Sequence, residues 1–285
     1  MENDAVSDFG IFLRRLFRRR IVLLAALILL VLIIVALAAP WISPFDPNAI
    51  KVARRLRPPS AINWFGTDEY GRDVLSRIIY GSRASLGIGA AVVMLSVACG
   101  TMLGLLAGYF RRLDDPIMRV IDAFMALPDI LLAIFLVAVL GASATNVILA
   151  LAIVYTPRVA RVVRASTLVV RELPFVEAAR ALGVSTWRIM TVHVLLNVTS
   201  PVLVQATFIF AYAVLAEAGL SFLGTGVPQE VPTWGTMIAA SQSFGDQAIW
   251  LVVFPGLAIV LAALSLQLVG DGLRDMLDPK LRKSL

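Results

Sequence analysis

The stretch ASLGIGAAVVMLSVACGTMLGLLAGYF, residues 84–110, contains no Asp, Glu, Lys or Arg at any position. A hydrocarbon core of about 30 Å is crossed by roughly 20 apolar residues at 1.5 Å each, so this run is long enough to span a bilayer as a helix. Three more charge-free runs follow, at 130–157, 194–216 and 247–270. Lipid leaves backbone groups only two ways to be satisfied, helices and closed barrels, and barrel strands need only about 9–11 residues. The runs therefore predict an all-α integral membrane protein.

Composition agrees. The chain is 59% hydrophobic and 15% charged, with mean hydropathy +0.87, against roughly 45–50% and about 25% in soluble domains. The net charge of +6 could suggest a nucleic-acid partner. Here the basic residues sit at the ends of apolar segments, as topology signals do, and no nucleic acid is expected. Cys99 is the only cysteine; inside an apolar run, it is expected to serve packing.

Working outward, six spans are predicted: 21–42, 84–110, 116–140, 146–163, 201–223 and 248–270. The run 21–39 follows Arg14, Arg15, Arg18, Arg19 and Arg20 and resembles a signal peptide. It exceeds the roughly 7–15 residues of a signal h-region, so an uncleaved signal anchor is expected. Six spans place 18 of the 25 basic residues on the side of the N-terminus, which the positive-inside rule makes cytoplasmic. The other seven, Lys51, Arg54, Arg55, Arg57, Arg72, Arg77 and Arg83, fall in the first external segment, a local exception. Trp41 and Trp250 then lie at the outer interface. Gly100, Gly104 and Gly108, four apart, form a small-residue stripe that lets another helix approach closely.

The resulting organisation has five parts. A cytoplasmic segment 1–20 precedes the first span 21–42. An external segment 43–83 follows, in which Val74, Leu75, Ile78 and Ile79 repeat at helical spacing. That pattern predicts an amphipathic helix capped by Thr67 or Asp68 and lying on the outer membrane surface. Residues 84–270 form a five-helix core, and 271–285 a cytoplasmic tail.

The core contains a cytoplasmic loop, 164–197, too long to be structureless. Pro174 suits the first turn of a short helix, and Glu177 sits early in it, where the macrodipole favours an acid. Gly183 occupies the terminating C′ position, and Ser185 can cap a second helix starting at Thr186 or Trp187. Phe175, Ala178, Ala179 and Leu182 are placed on the exposed part, where small alanines would let a partner surface come close.

EAARALG at 177–183 resembles the EAA loop of ABC importer permeases. STWR at 185–188 and HVLLN at 193–197 look like its continuation in the dipeptide, oligopeptide and nickel branch, with Leu196 where that branch usually carries proline. FGTDE at 65–69 with GRDVLSR at 71–77 is similar to the external signature of the DppC/OppC-type second permease. EAGLSFLG at 217–224 with PTWG at 232–235, and GDGLRD at 270–275 with LDP at 277–279, resemble the branch's fifth-span exit and C-terminal ending.

The resemblance implies a type I importer permease bundle that works by alternating access with a second, DppB/OppB-like permease. Two ATP-binding subunits would hold ATP and Mg, and an external substrate-binding protein would deliver cargo, all at a prokaryotic plasma membrane with both termini cytoplasmic. It makes Glu177, Ala178, Ala179, Leu182 and Gly183 the ATPase-coupling residues. The cargo implied is di- or oligopeptides, with nickel or glutathione as alternatives. The chain is expected to be no enzyme and to hold no cofactor of its own. It has only three lysines, Lys51, Lys280 and Lys283, none after a glycine, so no phosphate-binding GxxxxGK[ST] loop can be written.

Several residues admit two readings. Glu217, near the outer end of a span, belongs either to the pathway or to helix packing. Asp122 and Asp129 could be relay acids, although Arg119, three residues before Asp122, offers a simpler ion pair. His193, the only histidine, is expected to hydrogen-bond structurally. The run Lys51, Arg54, Arg55 and Arg57 is either a solvated face or a contact for an acidic binding protein or lipid headgroups. An ion-coupled secondary transporter would need matching broken halves, and an intramembrane enzyme would need HExxH, GxSxG or paired deep acids. None of these is written in the sequence.

Overall fold

The computed structural model describes residues 20–277, and among these the regular elements are all helical. Arg14, Arg15, Arg18 and Arg19, and in the tail Asp278, Pro279, Lys280, Arg282 and Lys283, lie outside the described residues. α1 (Arg20–Ile42) is apolar all round, and its buried positions are Ala25, Ala36 and Ala39, spaced 11 and 3 apart on one face. Through that small-residue face it leans on the rest of the bundle and leaves its leucines and isoleucines outward.

The segment 43–83 differs from expectation. No separate surface helix forms: α2 runs unbroken from Val74 to Tyr109, so the amphipathic stretch is the first two turns of a membrane-crossing helix. The cap is Asp73, whose carboxylate accepts from the Ser76 amide at 2.8 Å, and not Thr67 or Asp68. Asp68 is used otherwise. Its side chain accepts from the amides of Tyr70 and Arg72 at 2.9 and 2.8 Å, a local turn that competes with helix. Val74 is fully buried with Met237 and Leu251, which removes it from any lipid surface. Asp68 and Glu69 also neutralise two of the cations in this segment. Arg72 pairs with them at 2.6 and 3.2 Å, and Arg77, itself buried, lies 3.8 Å from Asp68.

The predicted third span, 116–140, is a bent pair. α3 (Arg111–Met125) and α4 (Asp129–Leu140) meet at 91°. Pro128 at the break has no amide hydrogen and biases Leu127 away from the helical region. Among the described residues, five helices are long and apolar enough to cross a membrane, six if the bent pair counts as one.

α5 (Ala144–Val170) packs along α2 through the glycine stripe, as expected. A Cβ added at Gly100, Gly104 or Gly108 would lie 2.5 Å from Val159 Cβ, 2.6 Å from the Ala160 carbonyl or 2.6 Å from Thr167 Cβ. Cys99, on the same helix, is exposed and does not pack within the chain. Gly100, the next residue, takes the buried face.

Beyond α5 come the short α6 (Pro174–Ala181), then α7 (Leu195–Phe222), α8 (Trp234–Ser241) and α9 (Trp250–Leu277). α7 continues backwards through a π-helical turn, Ile189–Val194, into Thr186–Arg188, so one helical rod runs from Thr186 to Phe222. The predicted fifth span, 201–223, is only its second half. α8 folds back against α7, α9 and α2. Trp250 donates from Nε1 to the Thr67 carbonyl at 3.1 Å, and Phe65 stacks on Phe254 with ring centroids 4.0 Å apart. Trp41 is left exposed at the end of α1.

Candidate functional site

α6 is built as its sequence dictates. Pro174 occupies the first helical position, Glu177 the first turn and Arg180 the last, both signs complementing the macrodipole. The helix stops in a Schellman motif: the Gly183 amide donates to Arg180 and the Val184 amide to Ala179, at 3.0 and 3.1 Å, with Gly183 at φ +74°. Ser185 stands at the N-cap position before Thr186 with extended backbone, but its side chain makes no capping bond.

Val176 and Ala179 point inward, in the same buried cluster as Ile189, Met190 and Val194. Ala179 therefore departs from expectation, because helical periodicity puts it one turn from Val176, on the anchoring face. Glu177, Ala178, Phe175 and Gly183 are exposed, and Leu182 is 83% exposed, joined by the exposed Trp187. An apolar ridge thus stands on a helix fixed from below and wired directly into α7. At the foot of the loop Arg171 donates from Nη1 to the Gly108 carbonyl at 2.7 Å, tying the exit of α5 to the end of α2. His193 is half-buried, and its carbonyl accepts from Asn197 at 2.6 Å. With Leu196 in place of proline, the local irregularity is the π turn, not a proline bend.

The intramembrane acids separate into two kinds. Glu217 is 1% exposed, and its carboxylate accepts from Thr233 Oγ1 at 2.8 Å and Ser221 Oγ at 2.9 Å, with Ser85 Oγ at 3.5 Å. Thr233 also caps α8, and Ser85 accepts from the Trp234 amide at 3.1 Å. Glu217 thus joins α2, α7 and α8.

Asp122 and Asp129 pair across helices. Asp129 meets Arg158, Asp122 meets Arg161 at 2.7 Å, and Asp114 takes a two-pronged contact from Arg164 with Nη2 at 2.6 Å. Arg119 is exposed and is not the partner of Asp122. An i,i+3 pair along α3 gives way because Arg158, Arg161 and Arg164 recur every third residue and present one row to the packed bent pair. That spacing was visible in the sequence as a stripe. Its acidic complement was not, since the pairs lie 29, 39 and 50 positions apart.

A groove of about 430 Å³ opens between α5, α7 and α9, lined among others by Val162, Ser200, Gln205, Phe208 and Arg274. In the segment 43–83 Lys51 lies over the Phe45 ring at 5.1 Å and Arg55 over Phe244 at 5.5 Å, so half of the basic run is held on aromatic faces.

Known proteins agree with this architecture. Residues 100–283 match the family described as binding-protein-dependent transport system inner membrane component, and residues 7–59 the N-terminal TM domain of oligopeptide transport permease C. A Brucella suis biovar 1 chain, named for a peptide transport system permease protein, is 49% identical over 99% of this chain and 95% of its own length. The dipeptide transport system permease protein DppC of Alkalihalophilus pseudofirmus is 42% identical over 98% and 92%. Among solved structures, an inward-facing MetNI methionine ABC transporter chain superposes with TM-score 0.57 over 71% of this chain and 97% of its own, at 19% identity, a likeness of fold. The chain belongs to the binding-protein-dependent transport system inner membrane components, as a multi-pass ABC importer permease of the DppC/OppC type.

Proposed function

We propose that this permease moves di- or oligopeptides across a prokaryotic plasma membrane, with both termini cytoplasmic. It does so by alternating access with a DppB/OppB-like second permease. Two ATP-binding subunits, which hold ATP and Mg, drive it from the cytoplasm, and an external binding protein delivers the cargo. The peptide reading is supported by the names of the relatives, which include a di/tripeptide permease of Pseudomonas aeruginosa at 45% identity. No GxxxxGK[ST] phosphate-binding loop can be written in this chain, since no lysine in it follows a glycine, which fits a motor held in separate subunits.

The observation that carries the mechanism is the α6 ridge. Phe175, Ala178 and Leu182 stand uncovered on a helix whose other face is buried, and an ATPase cleft is the partner that fits. Closure of the ATPase dimer would push α6, and the rigid link through the π turn would pass the push to α7.

The test is a complex reconstituted in vesicles. A dipeptide loaded on the binding protein should stimulate ATP hydrolysis and accumulate inside. Leu182→Asp should abolish co-purification of the ATPase subunits while the two permeases still co-purify. Retained ATPase binding by Leu182→Asp would remove the ridge from the interface.

A further inference from the structure

Arg158 lies 14 residues past the start of α5 at Ala144 and 12 before its end at Val170. At 1.5 Å per residue it is about 21 Å from one end and about 18 Å from the other, inside a hydrocarbon slab of about 30 Å. Its partner Asp129 is the first residue of α4, where the broken span resumes after Pro128. Both side chains remain partly open, Arg158 at 33% and Asp129 at 40%, and the next pair, Arg161 and Asp122, is more open still at 49% and 60%.

Charges so open do not face lipid tails. Ionisable groups within spans turn to the bundle interior or to a water-filled cavity. The other outward face of α5 is of the opposite kind: Leu149 and Ile153, exposed and apolar, point away from Arg158 by the 100° step of the helix. The chain therefore has one face suited to lipid and one that needs water or a polar occupant.

The deepest pair has further equipment. The Arg158 guanidinium lies 5.6 Å from the Tyr155 ring centroid and 5.2 Å from that of Tyr212 on α7. Tyr155 donates its hydroxyl to the Tyr212 carbonyl at 3.4 Å. Four groups from α4, α5 and α7 thus converge as one cation, one anion and two ring faces.

Resting on the importer reading above, we infer that this face lines the aqueous route of the cargo and that Arg158–Asp129, with Tyr155 and Tyr212, is a station for a zwitterion. A carboxylate replaces Asp129 on Arg158, while an ammonium takes Asp129 and an aromatic face, so no charge is left unpaired in the exchange. Every unblocked peptide carries both groups whatever its side chains, and such a station would read the termini and ignore the sequence between them.

The modification experiments use the complete complex in leaky vesicles and the uptake experiments the same complex in sealed vesicles, both in a Cys99→Ser background. Met125→Cys sits between Asp122 and Asp129 in sequence and leaves both ion pairs intact; Ile153→Cys is the lipid-side control. A charged methanethiosulfonate should modify Met125→Cys and spare Ile153→Cys. A dipeptide at millimolar concentration should slow that modification, and the same dipeptide acetylated and amidated should not. Arg158→Gln should raise the KM for dipeptide uptake about tenfold or more, as expected for a lost charged contact. Arg158→Lys should recover part of it.

An unreactive Met125→Cys overturns the aqueous route. Equal protection by the blocked dipeptide, or an unchanged KM in Arg158→Gln, overturns the zwitterion station. If dipeptides neither protect nor enter while the charged reagent still reacts, the peptide reading fails and the aqueous face stands.

Discussion

The Val184 amide closes onto the Ala179 carbonyl at 3.1 Å across Gly183, which sits at φ +74°. One left-handed residue thus ends α6 and turns the chain into the rod that becomes α7. A Cβ at Gly183 would meet nothing within 4 Å, so any substitution there acts through backbone strain and not through a clash. Gly183→Ala should cost about 1–2 kcal/mol locally, and Gly183→Val more. Both should insert and pair with the second permease, because insertion is set by hydropathy. Both should lose transport, read as substrate uptake beside pull-down of the ATPase subunits. Normal uptake by Gly183→Val would return the loop to an ordinary connection.

The α2–α5 seam makes a steric prediction on one helix. At Gly104 an added Cβ meets the Ala160 carbonyl and Val163, while at Gly87 it meets nothing within 4 Å. Gly104→Leu should destabilise the purified protein by about 1–3 kcal/mol or more through overpacking. Gly87→Ala should leave it no less stable, since the new Cβ meets nothing and alanine favours a helix interior by about 1 kcal/mol over glycine. Thermal unfolding in detergent measures both, and equal melting temperatures would contradict the seam.

Glu217 should behave as a packing residue. Glu217→Ala removes the acceptor of the buried Thr233 and Ser221 hydroxyls and should cost about 1–3 kcal/mol. Glu217→Gln keeps an acceptor and should cost less. The difference in melting temperature reads the effect. A Glu217→Ala protein of native stability that fails only in transport would restore the pathway reading.

Topology is checked with single cysteines in a Cys99→Ser background, since Cys99 is itself exposed. Ser60 and Ser185 are both exposed. Cysteines at these sites should label from opposite sides of intact cells. Labelling of both from outside would sink the six-span arrangement.

Local signals were legible without any coordinates. Charge-free length marks which segments are apolar enough for a membrane, because hydrophobic transfer depends on composition and not on neighbours, but not where a run breaks, as 130–157 does between α4 and α5. Pro174, Glu177 and Gly183 fix a short helix and its end, because first-turn proline, early acid and left-handed glycine are requirements of the backbone alone. The glycine stripe on α2 is of the same kind. What the tertiary structure decided is everything that depends on a partner distant in sequence. Thr67 and Asp68 are good caps in isolation, yet Asp68 is drawn into a turn and an ion pair with Arg72, and the helix waits for Asp73. Asp122 has Arg119 one turn away, yet it reaches Arg161, because α3 is packed against α5 and the row of arginines on α5 faces it. Ala179 reads as a docking residue and is instead an anchor, since only the position of Ile189 and Met190 says which face of α6 is covered.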